Sequence, residues 1–166
     1  MTDPQNDPIV QLESEHHAMR RLFVEWRSLA SRGVSPAQRQ ALAEQICLEL
    51  AIHTRLEEEL LYPLARDVTG DTDLLDDSAE EHGAARDLMC RVLLMRADDA
   101  LFDARVSALC DYVEHHMDCE GRVLYPRLRR SEVDLGLLGR RLRERRRELE
   151  AVPEALREDA LVSTAA

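Results

Sequence analysis

Residues 53–63 read HTRLEEELLYP and residues 116–126 read HMDCEGRVLYP. Each stretch begins with His, places Glu four residues later and ends in Tyr-Pro, and the two are 63 residues apart. Residues four apart lie on one face of an α-helix, one turn from each other. His53 and Glu57 therefore interrupt a stripe formed by Leu42, Ile46, Leu50, Leu60 and Leu64, and His116 with Glu120 interrupts one formed by Leu109, Val113 and Val123. A carboxylate on a core-facing stripe is costly unless it is paired or bound to a cation. Two such pairs in one short chain invite a metal.

The duplication continues upstream. EHHAMRRL at 15–22 matches EHGAARDL at 81–88, so His16 corresponds to His82. His16 sits in the stripe Ile9, Leu12, Met19, Phe23, Trp26, and His82 in the stripe Leu75, Ser78, Ala85, Met89, Val92. Each half of the chain is then a helix bearing His followed by a helix bearing His-xxx-Glu. Asp7-Pro8 and Ser35-Pro36 are cap-then-proline helix starts, Gly33 is a stop, DVTGDTD at 67–73 is a turn and ADD at 97–99 a short break. Four long amphipathic helices with short loops predict an all-α, antiparallel up-down four-helix bundle spanning about 8–130.

Depth along the bundle agrees. At ~1.5 Å per residue, His16 and His53 lie roughly 23 and 26 Å from their shared loop. Glu57 and His82, then His82 and His116, are similarly matched about theirs. His16, His53, Glu57, His82, His116 and Glu120 therefore share one level. One His on an apolar stripe is ordinarily bonded to backbone, but six polar residues at one level with an internal repeat ask for more. Imidazole and carboxylate suit a borderline transition metal. With Glu available to bridge two ions, a di-iron centre is the natural reading, and zinc or manganese accept the same donors.

The remaining composition narrows the class. The 166 residues suit one domain; apolar residues are 45%, charged residues 33% and aromatics 4%, a balance that favours helix. The net charge of −11 disfavours nucleic acid as a partner for the whole. All 22 basic residues are Arg, and RRLRERRRE at 140–148 concentrates them on a predicted fifth helix from about Ser131 to Val152. That run reads first as a solvated face and second as a surface for an anionic or protein partner. Residues 153–166 read as a frayed tail. The polar start MTDPQNDPIV lacks the pattern of a secretory signal, and no apolar run is long enough to span a membrane, so a cytoplasmic protein is expected.

His17 and His115 adjoin proposed ligands and are read as surface or supporting groups, with His115 a register alternative to His116. Glu58 and Glu59 are read as solvated. Cys47 and Cys110, also 63 apart, are read as small core residues, and Cys119 as a residue edging toward the site. Pro63 and Pro126 predict a kink one turn beyond each Glu, either for packing or to widen the space at the metals.

The segments EHHAMRRLF, HTRLEEELLYP, EEHGAARDL and HMDCEGRVLYP resemble the hemerythrin-like, or HHE cation-binding, family. The resemblance implies a four-helix bundle with a non-haem di-iron site, carboxylate- and oxo-bridged, held by His16, His53, Glu57, His82, His116 and Glu120. Oxygen-carrying members have a second His one turn after the third-helix His; Arg86 stands there in this chain, which argues against reversible oxygen carriage. The set is similar to that of bacterial members tied to oxidative or nitrosative stress, including proteins that repair iron–sulfur centres, although the residues before Pro8 carry no Cys. A ferritin-type site needs paired Glu-x-x-His motifs, and ESEH at 13–16 alone fits. The implied function is a di-iron module that binds or senses O2, peroxide, NO or iron. Competing with it are an enzyme that disproportionates H2O2 or reduces NO, and a protein acting through its Arg-rich helix. No sequence feature separates the module from the enzyme.

Overall fold

The computed structural model describes residues 7–162, and all of its regular structure is helical. Residues 1–6, where the leader reading falls, and 163–166, the end of the expected tail, lie outside the described residues. The bundle is built from α1 (Pro8–Arg32), α2 (Pro36–Leu56), α4 (Thr72–Leu93) and α5 (Phe102–Cys119), with α1 against α2 and α5, and α4 against α2 and α5. The antiparallel up-down bundle expected from the stripes is the architecture observed. No helix among the described residues is long and apolar enough to cross a membrane.

The helix ends follow local chemistry. Asp7 caps α1, its Oδ1 accepting from the Ile9 and Val10 amides with Pro8 in the first turn. Gly33 ends α1 at φ 62°, a left-handed conformation that glycine adopts without a Cβ clash. Ser35 and Gln38 form a capping box on α2. Gly70 and Asp71 then divide the second hairpin, Gly70 at φ 65° and Asp71 accepting from the Leu74 amide.

Neither His-xxx-Glu helix runs on as a plain α-helix. Each passes through a π-helical turn that begins at the Glu, Glu57–Leu61 and Glu120–Leu124, and then resumes as α3 (Tyr62–Thr69) and α6 (Tyr125–Arg129). The Tyr62 amide donates to the Glu57 carbonyl and the Tyr125 amide to the Glu120 carbonyl, five residues back. Pro63 and Pro126 follow directly, in the first turn of the resumed α-helix where a missing N–H is tolerated. The expected proline kink is therefore a change of helical register. The extra residue moves the apolar stripe along by one: Leu60, Leu64 and Val123 are only half-buried, while Leu61, Tyr62, Ala65, Leu124, Tyr125 and Leu128 are buried in their place.

The C-terminal segment departs from expectation twice. The fifth helix, α7, spans Leu135–Glu150 and is capped by Asp134. Ser131 cannot cap it, because its hydroxyl donates back to the Leu128 carbonyl. Residues Pro153–Val162 are no frayed tail but a further helix, α8. Pro153 opens that helix, as proline can, and Leu156 and Ala160 are buried on its inner face. Helix α7 packs on α1 and α2, and α8 on α2 and α4.

Two apolar clusters fill the interior. One holds Phe23, Trp26, Ile46, Leu50, Met89, Phe102 and Val106; the other holds Ile9, Leu12, Leu56, Leu61, Leu75, Leu124 and Leu142. Along each bundle helix, the inward His falls at the boundary between these clusters.

Candidate metal centre

The six residues singled out by their spacing meet at that boundary. His16, His53, Glu57, His82, His116 and Glu120 are all buried, at no more than 5% exposure. They form two overlapping quartets, His16–His53–Glu57–Glu120 and Glu57–His82–His116–Glu120, each offering one atom per residue within 4.8 Å of the others. Both carboxylates belong to both quartets. Glu57 directs Oε1 to His53 Nε2 and Oε2 to His82 Nε2, each at 3.3 Å. Glu120 Oε2 lies 3.6 Å from His16 Nε2 and 3.5 Å from His116 Nε2. The paired imidazoles turn their Nε2 atoms toward each other, 3.0 Å apart in His16–His53 and in His82–His116.

The outer edges of three rings are held by carboxylates from neighbouring helices. Glu15 Oε2 faces His53 Nδ1 at 2.9 Å, Glu58 Oε1 faces His82 Nδ1 at 3.0 Å, and Glu81 faces His116 Nδ1. A carboxylate at Nδ1 fixes a proton there, so Nε2 is the nitrogen that turns a lone pair toward the centre once its own proton is displaced. Glu15 and Glu81 occupy equivalent places in the internal repeat, immediately before His16 and His82. Glu58 is thus no solvated residue: it is half-buried and accepts from both His82 and Arg86. Arg86, at the place of a fifth histidine in oxygen carriers, is committed to Glu58. Two arginines of the C-terminal run also turn inward. Arg146 stands 3.6 Å from Glu15 and donates to Glu49, and Arg145 donates to Glu59.

Sequence reasoning missed the two tyrosines of the repeated Tyr-Pro. Tyr62 Oη donates to Glu120 Oε1 at 2.7 Å and lies 3.0 Å from His82 Nε2. Tyr125 Oη donates to Glu57 Oε1 at 3.3 Å and lies 3.2 Å from His16 Nε2. Each hydroxyl thereby crosses to the carboxylate of the other half. In an α-helix, residues five apart point about 140° away from each other; the π turn brings Glu57 and Tyr62 onto the same face. The repetition of Tyr at both sites was the available signal.

The other sequence expectations sort cleanly. His116 faces the centre and His115 is exposed, which resolves the register of the pair. His17 is exposed and bonded to the Glu13 carbonyl. Cys47 and Cys110 are buried free thiols, and burial pushes each up to about 12. Cys119 is half-buried and its sulfur faces exposed His115 at 3.8 Å, away from the centre.

The charge distribution shows what the centre lacks. Burial disfavours His53 and His82 as cations, yet neighbouring Glu57, with Glu15 or Glu58, overrides it and raises each to about 9. Burial, with the adjacent His53, lowers His16 to about 2, and burial with adjacent His82 lowers His116. Burial alone would raise Glu57, but His53 and His82 hold it well below the usual carboxylate range. Burial and the Glu57 charge push Glu120 up to about 8. The metal-free centre therefore retains protons where positive charge is needed. Even so, Glu57 Oε2 and Glu120 Oε2 have no hydrogen-bond partner. Orphaned buried carboxylate oxygens are rare and costly. Shared by two quartets rich in inward imidazole nitrogens, they fit metal cations.

A solved structure of a hemerythrin HHE cation-binding domain-containing protein from Mycobacterium kansasii superposes with a TM-score of 0.72 at 22% identity, over 91% of this chain and 94% of that one, which shows the shared fold. No curated protein matches the chain. The family model of the hemerythrin HHE cation-binding domain matches residues 7–128, the span of the bundle and of all six inward side chains. The chain belongs to the hemerythrin HHE cation-binding domain family.

Proposed function

We propose that the chain holds a non-haem di-iron centre and uses it to bind or sense a small ligand: O2, peroxide or NO. The observation that carries this reading is the sharing of Glu57 and Glu120 between two histidine pairs, each carboxylate with an oxygen left unpartnered. A single tetrahedral site needs about four donors; six donors in two quartets with common carboxylates support two ions. In this reading His16 and His53 would hold one iron and His82 and His116 the other, with Glu57 and Glu120 available to both. Iron at such a centre supplies redox chemistry and coordination positions for a small molecule.

The protein's own residues prepare that role. Glu15, Glu58 and Glu81 hold three imidazoles as Nε2 donors, so little rearrangement accompanies metal uptake. Tyr62 and Tyr125 hold a proton against one oxygen of each carboxylate, which orients it and leaves the other oxygen facing imidazole nitrogens without a hydrogen bond. Packing between two apolar clusters leaves all six side chains buried. The two buried hydroxyls also favour a second reading, turnover of H2O2, because a phenol beside the centre can deliver or recover a proton.

The test is metal analysis and visible absorption of protein from iron-supplemented cells. Expected are about two irons per chain and charge-transfer bands that shift with azide. One zinc, or no metal after gentle purification, would sink the proposal. Sustained H2O2 consumption by the iron-loaded protein would establish the second reading, and stable adducts without consumption the first.

A further inference from the structure

The internal repeat is broken at one place that bears on the centre. Glu58 and Gly121 are equivalent, 63 residues apart and each directly after an inward Glu. Arg86 and Arg20 are likewise equivalent, each four residues after an inward His. In the first arrangement Glu58 accepts from His82 Nδ1 and from Arg86, closing that side of the centre. In the second there is no carboxylate at position 121. Arg20 turns instead to Asp118 Oδ1, at 2.7 Å, and Arg122 donates to Asp118 Oδ2 at 3.1 Å. Among the described residues no carboxylate faces His16 Nδ1, whereas His53, His82 and His116 each have one.

Space follows the break. The lining of a cleft of about 180 Å³ between α1 and the α5–π junction includes Glu13, His16, Arg20, Asp118, Gly121 and Arg122, so it reaches one of the six inward side chains. On the equivalent opposite side a larger pocket of about 600 Å³ ends on Glu58 and Arg86, and none of the six lines it. A Cβ built on Gly121 meets nothing within 4 Å, so packing does not demand glycine there. The exposed glycine leaves open what its half-buried counterpart covers.

We propose that the cleft at Gly121 is the entrance to the centre for ligands of two or three heavy atoms, open because glycine stands where the repeat places a carboxylate. The proposal rests on the reading that the six side chains hold metal. The cleft reaches buried His16, and the Arg20–Asp118–Arg122 cluster beside it joins α1 to the π turn. A carboxylate at 121 would meet His16 as Glu58 meets His82; a bulky apolar side chain would fill the cleft without that bond.

The experiment compares Gly121→Glu, Gly121→Leu and Gly121→Ala with the native chain. Azide association with the iron-loaded protein is followed by stopped-flow absorbance, and zinc uptake by the metal-free protein by competition with a chromogenic chelator. Expected is azide association slowed at least ~10-fold in the Glu and Leu variants and unchanged within ~2-fold in the Ala variant. Zinc uptake slows in the same order. The Leu variant keeps the test decisive if the Glu variant folds poorly, since it adds no charge. Unchanged rates in both Glu and Leu variants, with normal metal content, would overturn the entrance while leaving the metal-centre reading intact. Failure of the native chain to take up either metal would overturn both.

Discussion

At the residue scale the centre depends on two carboxylates that are each asked to do two things. Glu57 and Glu120 face a histidine pair on either side while one oxygen of each is held by a tyrosine. Removing both leaves four inward imidazoles with no anion to balance bound cations. Glu57→Ala/Glu120→Ala is therefore expected to retain no metal after gel filtration; full occupancy by elemental analysis would show that the ligand set is wrong. The tyrosines make a graded test. Tyr62→Phe removes a 2.7 Å bond and Tyr125→Phe one of 3.3 Å. Stranding a buried acceptor costs about 1–3 kcal/mol, so urea unfolding of the metal-free variants should place Tyr62→Phe toward the upper end and Tyr125→Phe toward the lower. Equal stability of both with the native chain would mean that the hydroxyls do not hold the carboxylates.

At the element scale the π turns and α8 matter most. Each π turn starts at a carboxylate and ends at a tyrosine, so one extra residue per helix places both on the inner face. Its consequence is visible in the burial shift from Leu60 and Leu64 to Leu61 and Ala65. Helix α8 is attached by Leu156 and Ala160 and flanked by the Arg55–Asp159 pair. Both partners of that pair are substantially exposed, so Asp159→Ala should change stability by less than about 1 kcal/mol. Leu156→Ala removes buried apolar volume and should cost roughly 2–4 kcal/mol. Chemical denaturation of the two variants checks this; an effect of Leu156→Ala as small as that of Asp159→Ala would mean that α8 is not docked in solution.

At the scale of the whole molecule, protons and metal compete for the same centre. His53 and His82 are raised from 6.5 to about 9, so their contribution to metal-free stability is complete below about 6.5 and lost as pH rises through 9. Glu120, raised from 4.5 to about 8, acts in the same direction over its own range. Glu57 is depressed, so its contribution is present above 4.5 and lost on acidification; His16, lowered to about 2, opposes folding as pH falls below 6.5. The metal-free protein should therefore be most stable near pH 6, with Tm falling from pH 6.5 to 9. Metal uptake at neutral pH must displace the retained protons. A pH-stat titration should record proton release on loading, and apparent affinity should rise with pH through about 8. Metal bound at ~1,000 times its Kd would add about 4 kcal/mol of stability. A metal-free Tm that rises between pH 6.5 and 9 would contradict the proton placement.

The sequence by itself determined the bundle and five of the six inward residues, with the sixth narrowed to His115 or His116, because helical spacing places i and i+4 on one face whatever the neighbours do. Asp7, Gly33, Ser35 and Gly70 act on their own backbone, so most helix ends were legible too. Leu60 and Leu64 were misplaced because periodicity assumes an unbroken 3.6-residue helix, and a π turn leaves no mark of its own beyond the proline that follows. Pro153 reads equally as the end of one helix or the start of another, and only a groove over α2 and α4 able to bury Leu156 and Ala160 makes it a start. The choice of His116 over His115, and the pairing of Glu15, Glu58 and Glu81 with particular ring nitrogens, were decided by tertiary structure alone. Those choices depend on how far one helix is rotated against the next. That rotation is set by packing across the whole interior, which no local stretch of sequence contains.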